Sequence, residues 1–299
     1  MFKVDVITPV YNNARFIKKC LESAHQLEEV SKIYVVDDGS TDGTSDILSA
    51  ISAELPKIVV LEHPQRANKG IASSRNLGIS HSSSPWIAFL DSDDYYLPNR
   101  FEVTRKVIVQ NPEVNGVYEP VVNKVLSIQG ALRFDNSVRI DGSVIRISTE
   151  VQSAGVFEGM YYGTSGVVHL DGLTIQRKLA LEIGMFDQEL KFGEDSVFRL
   201  KAAFKGKLVG GSEQPVAVRS IHMTNTEPSM GLLDIFKRHV VMFSYLVRWD
   251  ASLKVKRTCI HNLLYSYIRY KNGVGFMDRF LIVLRYILSN PRLILHYFI

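Results

Sequence analysis

At 299 residues, with 46% hydrophobic and 22% charged side chains, the chain has material for a large, well-buried globular body and is not a disordered tail. The net charge of +4 is unevenly spread: from Leu232 to Ile299 eleven Lys and Arg face three Asp, so the part before it is net acidic. The two cysteines, Cys20 and Cys259, are far apart and lack metal-ligand spacing, which argues against a disulfide framework and a zinc cluster and for a reducing compartment.

The chain enters strand-like alternation at once, with no apolar leader, so its body is expected in the cytoplasm. Val4 to Val10 reads as a buried strand, with Pro9 marking its end, and Ala14 to Leu27 carries apolar residues at helical spacing. Ser31 to Val36 is a second strand that stops at Asp37-Asp38-Gly39-Ser40-Thr41-Asp42, where Thr41 and Asp42 stand at N-cap positions for a helix running to Leu55. Lys57 to Glu62 is a third strand, Ile71 to Ile79 a helix with Arg75 near its middle, and Trp86 to Leu90 a fourth strand. This alternation implies a parallel sheet with helices on both faces and ligands at the carboxyl ends of the strands.

The fourth strand ends in Asp91-Ser92-Asp93-Asp94, three carboxylates in four residues. In an extended chain Asp91 and Asp93 share one side and Asp94 takes the other. Neighbouring carboxylates repel unless a proton or cation lies between them, and a hard divalent ion, Mg²⁺ or Mn²⁺, arriving with substrate phosphates satisfies them. The plain alternative is a polar turn opening a helix, with Asp94 at its N-terminus. Asn99 to Asn111 has the pattern of that helix, Val114 to Ser153 is strand-like with turn signals at Gly130 and Asp141-Gly142, and Gln176 to Ile183 is helical. Ser196 to Phe204 is a further helix with Glu194 and Asp195 at its start, and Leu208 to Arg219 is the last strand region.

Taken in order, Thr8-Pro9-Val10-Tyr11-Asn12, the Asp37 to Asp42 run, Gly70 with Arg75-Asn76, Asp91-Ser92-Asp93-Asp94 and Gly193-Glu194-Asp195 closely resemble family 2 glycosyltransferases, over roughly residues 1–225. The resemblance implies an α/β GT-A fold: a Rossmann-like, mostly parallel sheet with helices on both faces, and a C-terminal helical extension. Residues 1–230 would be the catalytic domain, 1–112 its nucleotide-binding half and 113–230 its acceptor half, with 231–299 a basic amphipathic extension. It also implies that Thr8, Pro9 and Tyr11 line the nucleobase slot, that Asp38 accepts the imide N–H of uracil, and that Gly70 and Arg75 meet the base or diphosphate. Asp91 and Ser92 would lie by the ribose, Asp93 would ligate Mn²⁺ or Mg²⁺ beside Asp91, and His222 and Arg219 would approach the metal or diphosphate. Asp195 would be the general base, with Glu194 its neighbour. The implied reaction moves a hexosyl or N-acetylhexosaminyl group from a nucleotide-sugar donor, a UDP-sugar, to a hydroxyl of a glycan or lipid-linked glycan, with inversion. The alternatives are a sugar-nucleotide nucleotidyltransferase, which would want a Gly-rich phosphate loop absent from Thr8 to Asn13, and an inactive sugar-nucleotide-binding scaffold.

Beyond Leu232 three helix-like stretches follow, the last from Phe276 to Leu288, none with the roughly twenty apolar residues of a membrane span. Basic residues beside Phe, Tyr and Leu there read either as a peripheral anchor at the cytoplasmic face of the inner membrane or as a packing surface for the core or a second subunit of a homo-oligomer. No nucleic-acid module accompanies the charge.

Overall fold

The computed structural model describes residues 2–129, 141–223, 225 and 231–270. Gly130 and the stretch from Phe276 to Leu288 lie outside the described residues. By contact density the chain forms two units, Met1–Gln188 with Phe198–Pro228, and Glu189–Val197 with Ser229–Ile299.

The first unit is built on β1 (Val4–Val10), flanked by β2 (Val30–Asp37) and β4 (Trp86–Phe89), with β3 (Ile58–Glu62) beyond β2, all four parallel. Each crossover is a helix: α1 (Ile17–His25), α2 (Thr44–Glu54) and α3 (Ile71–His81). Every residue of β1 is buried, as a central parallel strand covered on both faces requires. Pro9 does not end β1: the strand runs on to Val10, with Pro9 opposite Val36 of β2. Its register with β4 stops at Ile7, so the position where a proline lacks an N–H has no strand to receive one. The strand order turns between β1 and β4, and a crevice opens at such a point.

Past β4 the parallel rule breaks. β5 (Tyr95–Tyr96) follows the Asp turn, and α4 (Glu102–Gln110) lies within the stretch from Asn99 to Asn111 expected to be helical. β6 (Gly116–Tyr118) joins the large sheet, while β7 (Val121–Val125) and β8 (Val144–Ile145) leave it for a smaller one. Helix α5 (Ser153–Tyr162) falls where no helix was read, since Gly155 and Gly159 weaken its pattern. Gly159 admits Ser165, which a Cβ there would meet at 2.4 Å. β9 (Leu173–Gln176) inserts antiparallel between β4 and β6 and leads into α6 (Arg177–Glu182).

Helix α7 spans Glu194–Lys205, and the stretch read as one final strand proves to be two. β10 (Leu208–Gly210) pairs with β6 in the large sheet, and β11 (Ala217–Ile221) pairs with β5 and β7 in the small one. The small sheet sets Val218 opposite Tyr95 and Ala217 opposite Tyr96, so the residues just before β5 and those at the end of β11 come together. In the second unit α8 (Leu232–Arg248) and α9 (Leu253–Tyr270) pack on each other, and no described helix is long and apolar enough to cross a membrane.

Candidate functional site

The loops after β1 and β2 are stitched together at the carboxyl edge of the large sheet. Asn12 N–H donates to Ser40 Oγ at 2.9 Å, Thr41 N–H to Asn12 Oδ1 at 2.7 Å, and Ala14 N–H to Asp42 at 3.0 Å. Asp42 also accepts from Thr44, but helix α2 begins at Thr44 with Gly43 as its N-cap in the left-handed region, so neither Thr41 nor Asp42 is the cap itself. These hydrogen bonds hold the Asp42 carboxyl below the usual carboxylate range despite the opposing effect of burial. Asp37 accepts from Ser40 N–H at 2.9 Å and Ser45 Oγ at 2.6 Å and so organises its own loop. Within this frame Thr8 is buried with no hydrogen-bond partner for Oγ1, and Tyr11 is 52% exposed.

Asp38 is buried and accepts the N–H groups of Lys69 and Gly70 at 2.7 and 2.9 Å, with His63 Nε2 at 3.5 Å. Its carboxylate therefore ties the loop before α3 to the end of β2, leaving spare lone pairs for a ligand. Gly39 makes this closure possible: its φ is +79°, and a Cβ there would lie 2.5 Å from the Arg66 carbonyl oxygen. Gly70, at φ +86°, is the N-cap of α3.

Arg75, on α3, is 2% exposed and pairs through Nη2 with Asp91 Oδ1 at 2.7 Å, its guanidinium 5.1 Å from the Phe186 ring. Its neighbour Asn76 is clamped to the backbone of Phe186, donating to the carbonyl at 2.8 Å and accepting the N–H at 2.9 Å. The helix is thereby fixed so that a buried cation reaches the first carboxylate of the Asp turn.

The turn itself is closed by Asp94 N–H donating to the Asp91 carbonyl at 3.0 Å, and Ser92 Oγ accepts from Asn13 Nδ2 at 2.7 Å. Asp93 Oδ2 lies 3.0 Å from His222 Nε2 and accepts from Asn225 Nδ2 at 2.9 Å. The His222 ring stacks on Phe16, centroids 4.5 Å apart. Two neighbouring ligands on a six-coordinate ion with bonds of about 2.1 Å stand about 3 Å apart, so the Asp93 and His222 atoms fit a shared Mg²⁺ or Mn²⁺. Arg219 lies on β11, opposite Asn123 of β7.

The alternation expected of an extended Asp91–Asp94 gives way to this tight turn, which buries Asp94 instead of capping a helix with it. Asp94 accepts the Ser220 N–H at 2.7 Å, and Asp171 accepts the Asp91 N–H at 3.1 Å. Ligand atoms of Asp94, His169 and Asp171 fall within 4.8 Å of one another, and Asp171 Oδ2 is buried without a donor. Burial, then the neighbouring carboxylates, raises Asp94 well above the usual range, and burial with Asp91 pushes Asp171 up to about 7. A proton or a cation between the two carboxyls satisfies both. Sequence reasoning missed His169 and Asp171: the pair matches no motif, and the antiparallel entry of β9 just after it brings both to this edge.

Glu194 and Asp195 open helix α7, as expected, in the stretch that clusters with the second unit. Glu194 is buried, and Asp195 Oδ1 accepts the Ser196 N–H at 2.7 Å.

Comparison with known proteins agrees with this architecture. Residues 5–142 match the family model described as Glycosyl transferase family 2. An uncharacterized glycosyltransferase of Rickettsia bellii is 28% identical over 255 residues, 83% of this chain and 34% of its own length. Chondroitin synthase of Pasteurella multocida is 31% identical over 130 residues, 43% of this chain and 13% of its own. The chain thus spans about a third or less of the length of these relatives. Among solved structures, S. aureus TarS residues 1–349 in complex with UDP-GlcNAc superposes with a TM-score of 0.65 at 19% identity, over 92% of this chain and 75% of that one. At that identity the likeness speaks for the fold. Residues 5–142, a little under half of the chain, thus resemble the family 2 glycosyltransferases, and the mixed sheet with the Asp turn at its switch point has the GT-A type of fold.

Proposed function

We propose that the protein is an inverting glycosyltransferase that moves a hexosyl or N-acetylhexosaminyl group from a UDP-sugar to a hydroxyl of a glycan or lipid-linked glycan in surface-polysaccharide synthesis. The observation that carries this reading is the meeting of Asp93 and His222 at the carboxyl edge of the sheet, 3.0 Å apart, beside an Arg75–Asp91 pair. Two loops tied together at the end of β1, with the half-exposed Tyr11 ring, provide a face for a nucleobase. Asp38 has lone pairs left for an imide N–H, and a uracil offers one.

Asp93 and His222 would hold Mn²⁺ or Mg²⁺, with Asp91 turning its second oxygen towards ion or ribose. When bound, the ion supplies positive charge to the departing diphosphate. Arg75 fixes Asp91 and adds a cation close to that position. Asp195, at the start of its helix, takes the proton from the acceptor hydroxyl as it attacks the anomeric carbon from the face opposite the diphosphate, and a single displacement of this kind inverts the centre. A TarS structure bound to UDP-GlcNAc and a polysaccharide synthase among the relatives support the donor and acceptor classes. The basic, amphipathic α8 and α9 are suited to a membrane surface where a lipid-linked acceptor resides.

The test is UDP release from a panel of UDP-sugars, with and without Mn²⁺. Asp93→Asn and Asp195→Asn should each lose at least about 100-fold in kcat, in the range expected for removing a general base. A metal-independent rate, or an Asp195→Asn enzyme as fast as wild type, refutes the mechanism.

A further inference from the structure

The Asp turn and the end of β11 are joined by a residue that no motif singles out. Asn225 turns both ends of its side-chain amide to this junction. Its Oδ1 accepts the backbone N–H of His222 at 2.5 Å, and its Nδ2 donates to Asp93 Oδ2 at 2.9 Å and to the Ser220 carbonyl at 3.0 Å. The same nitrogen stands 3.3 Å from His222 Nε2. An amide has two N–H groups and one carbonyl, so one side chain grips the carboxylate, the strand end and the turn carrying the imidazole.

The consequence lies in the lone pairs of Asp93 Oδ2. A carboxylate oxygen offers two; the Asn225 N–H takes one, and the other faces His222 Nε2 at 3.0 Å. The imidazole is also stacked on the Phe16 ring, centroids 4.5 Å apart, and the His222 backbone is fixed by its N–H donating to Asn225 Oδ1. Without that amide, Asp93 Oδ2 keeps only its contact with the imidazole, and the His222 backbone loses its tie to the carboxylate.

We propose that Asn225 is a positioning residue that holds Asp93 and His222 at the separation a shared divalent cation requires. This rests on the metal reading given above, and the experiment separates the two. Mn²⁺ is titrated into the full-length chain and its uptake followed by loss of the free-ion electron spin resonance signal, for wild type and Asn225→Ala, alongside melting without metal and kcat at saturating Mn²⁺.

Outer partners of metal ligands are worth about 10- to 100-fold in affinity. Asn225→Ala is therefore expected to bind Mn²⁺ at least about 10-fold more weakly while its kcat at saturating Mn²⁺ stays within about threefold of wild type. Unchanged Mn²⁺ affinity overturns the proposal while leaving the metal reading intact, and so does intact affinity with a collapsed kcat, which would put Asn225 on the substrate. A wild-type protein that takes up no Mn²⁺ overturns the metal reading and this proposal together. Should Asn225→Ala fail to fold, Asn225→Gln, which moves the same amide by one methylene, replaces it: weakened uptake in a folded variant supports the role, and wild-type uptake refutes it.

Discussion

Glu119→Gln tests how the two halves of the first unit are joined. The Glu119 carboxylate is wholly buried and accepts Arg100 Nη1 at 3.1 Å, Thr104 Oγ1 at 2.8 Å and Ser212 N–H at 3.2 Å. Burial raises its carboxyl above the usual range, against the opposing pull of Arg100. Arg100 is equally buried, and its guanidinium lies 5.0 Å from the Tyr96 ring and 4.6 Å from the Phe101 ring. Glutamine can keep its carbonyl oxygen on Arg100 and Thr104 but turns the other position into a donor facing the Ser212 N–H, and the guanidinium is left in the core without its anion. Breaking a buried pair this way costs about 3–5 kcal/mol. At roughly 2–4 °C per kcal/mol for a chain of this size, Tm falls by about 6–20 °C. Because the two aromatic rings offer Arg100 an apolar bed, the double variant Arg100→Met with Glu119→Gln should recover at least about 2 kcal/mol of that loss, since apolar replacement of a whole buried pair is often neutral. Urea unfolding of wild type, both single variants and the double gives the coupling directly. A Glu119→Gln protein within about 1 kcal/mol of wild type, or a double variant no more stable than the worse single, refutes the argument.

Gly39→Ala places a methyl group 2.5 Å from a backbone carbonyl at φ +79°, so the loop from His63 to Gly70 must move; stability should drop by about 2 kcal/mol and UDP affinity, read by calorimetry, should fall with it. Lys201 is fully buried, donates to the Met185 carbonyl at 2.6 Å, and is lowered by burial from 10.5 to about 8. A depressed folded value gives stability that is present above pH 10.5 and lost as pH falls through about 8, some 3 kcal/mol in all. Wild type should therefore gain on Lys201→Met between pH 7 and pH 10, measured by urea midpoints, and parallel curves would contradict this. Asn76→Ala removes both bonds to the Phe186 backbone and should destabilise by about 2–3 kcal/mol, with a wild-type melting curve as the refuting result.

The first hundred residues announce their structure because each parallel strand is a short stretch rich in Val and Ile that stops at a polar loop and is followed by a helical pattern. β1 to β4 and the helices between them fall within a few residues of expectation. Short elements carried no such signal. β5 has two residues and β8 two, below the length at which alternation registers, and they owe their existence to partners far along the chain. Gly210-Gly211 and Pro215 divide the last strand region between two sheets, a choice made by which edges are open, which is a property of the assembled sheet. The site divides the same way. Asp91 and Asp93 stood in motifs, whereas Asp171 and Asn225, which meet them, and Phe16, which stacks on His222, are common residues whose neighbours exist only in three dimensions.

The antiparallel course of β9 bears on how the chain reaches its native state. β4 gains its outer neighbour only when residues near Gln176 arrive, so during synthesis a half-built sheet with an apolar, hydrogen-bond-hungry border must wait for some ninety further residues. A fragment cut near Pro112 would keep that border permanently bare and should precipitate by edge-to-edge pairing, even though it contains nearly every recognisable motif for the nucleotide.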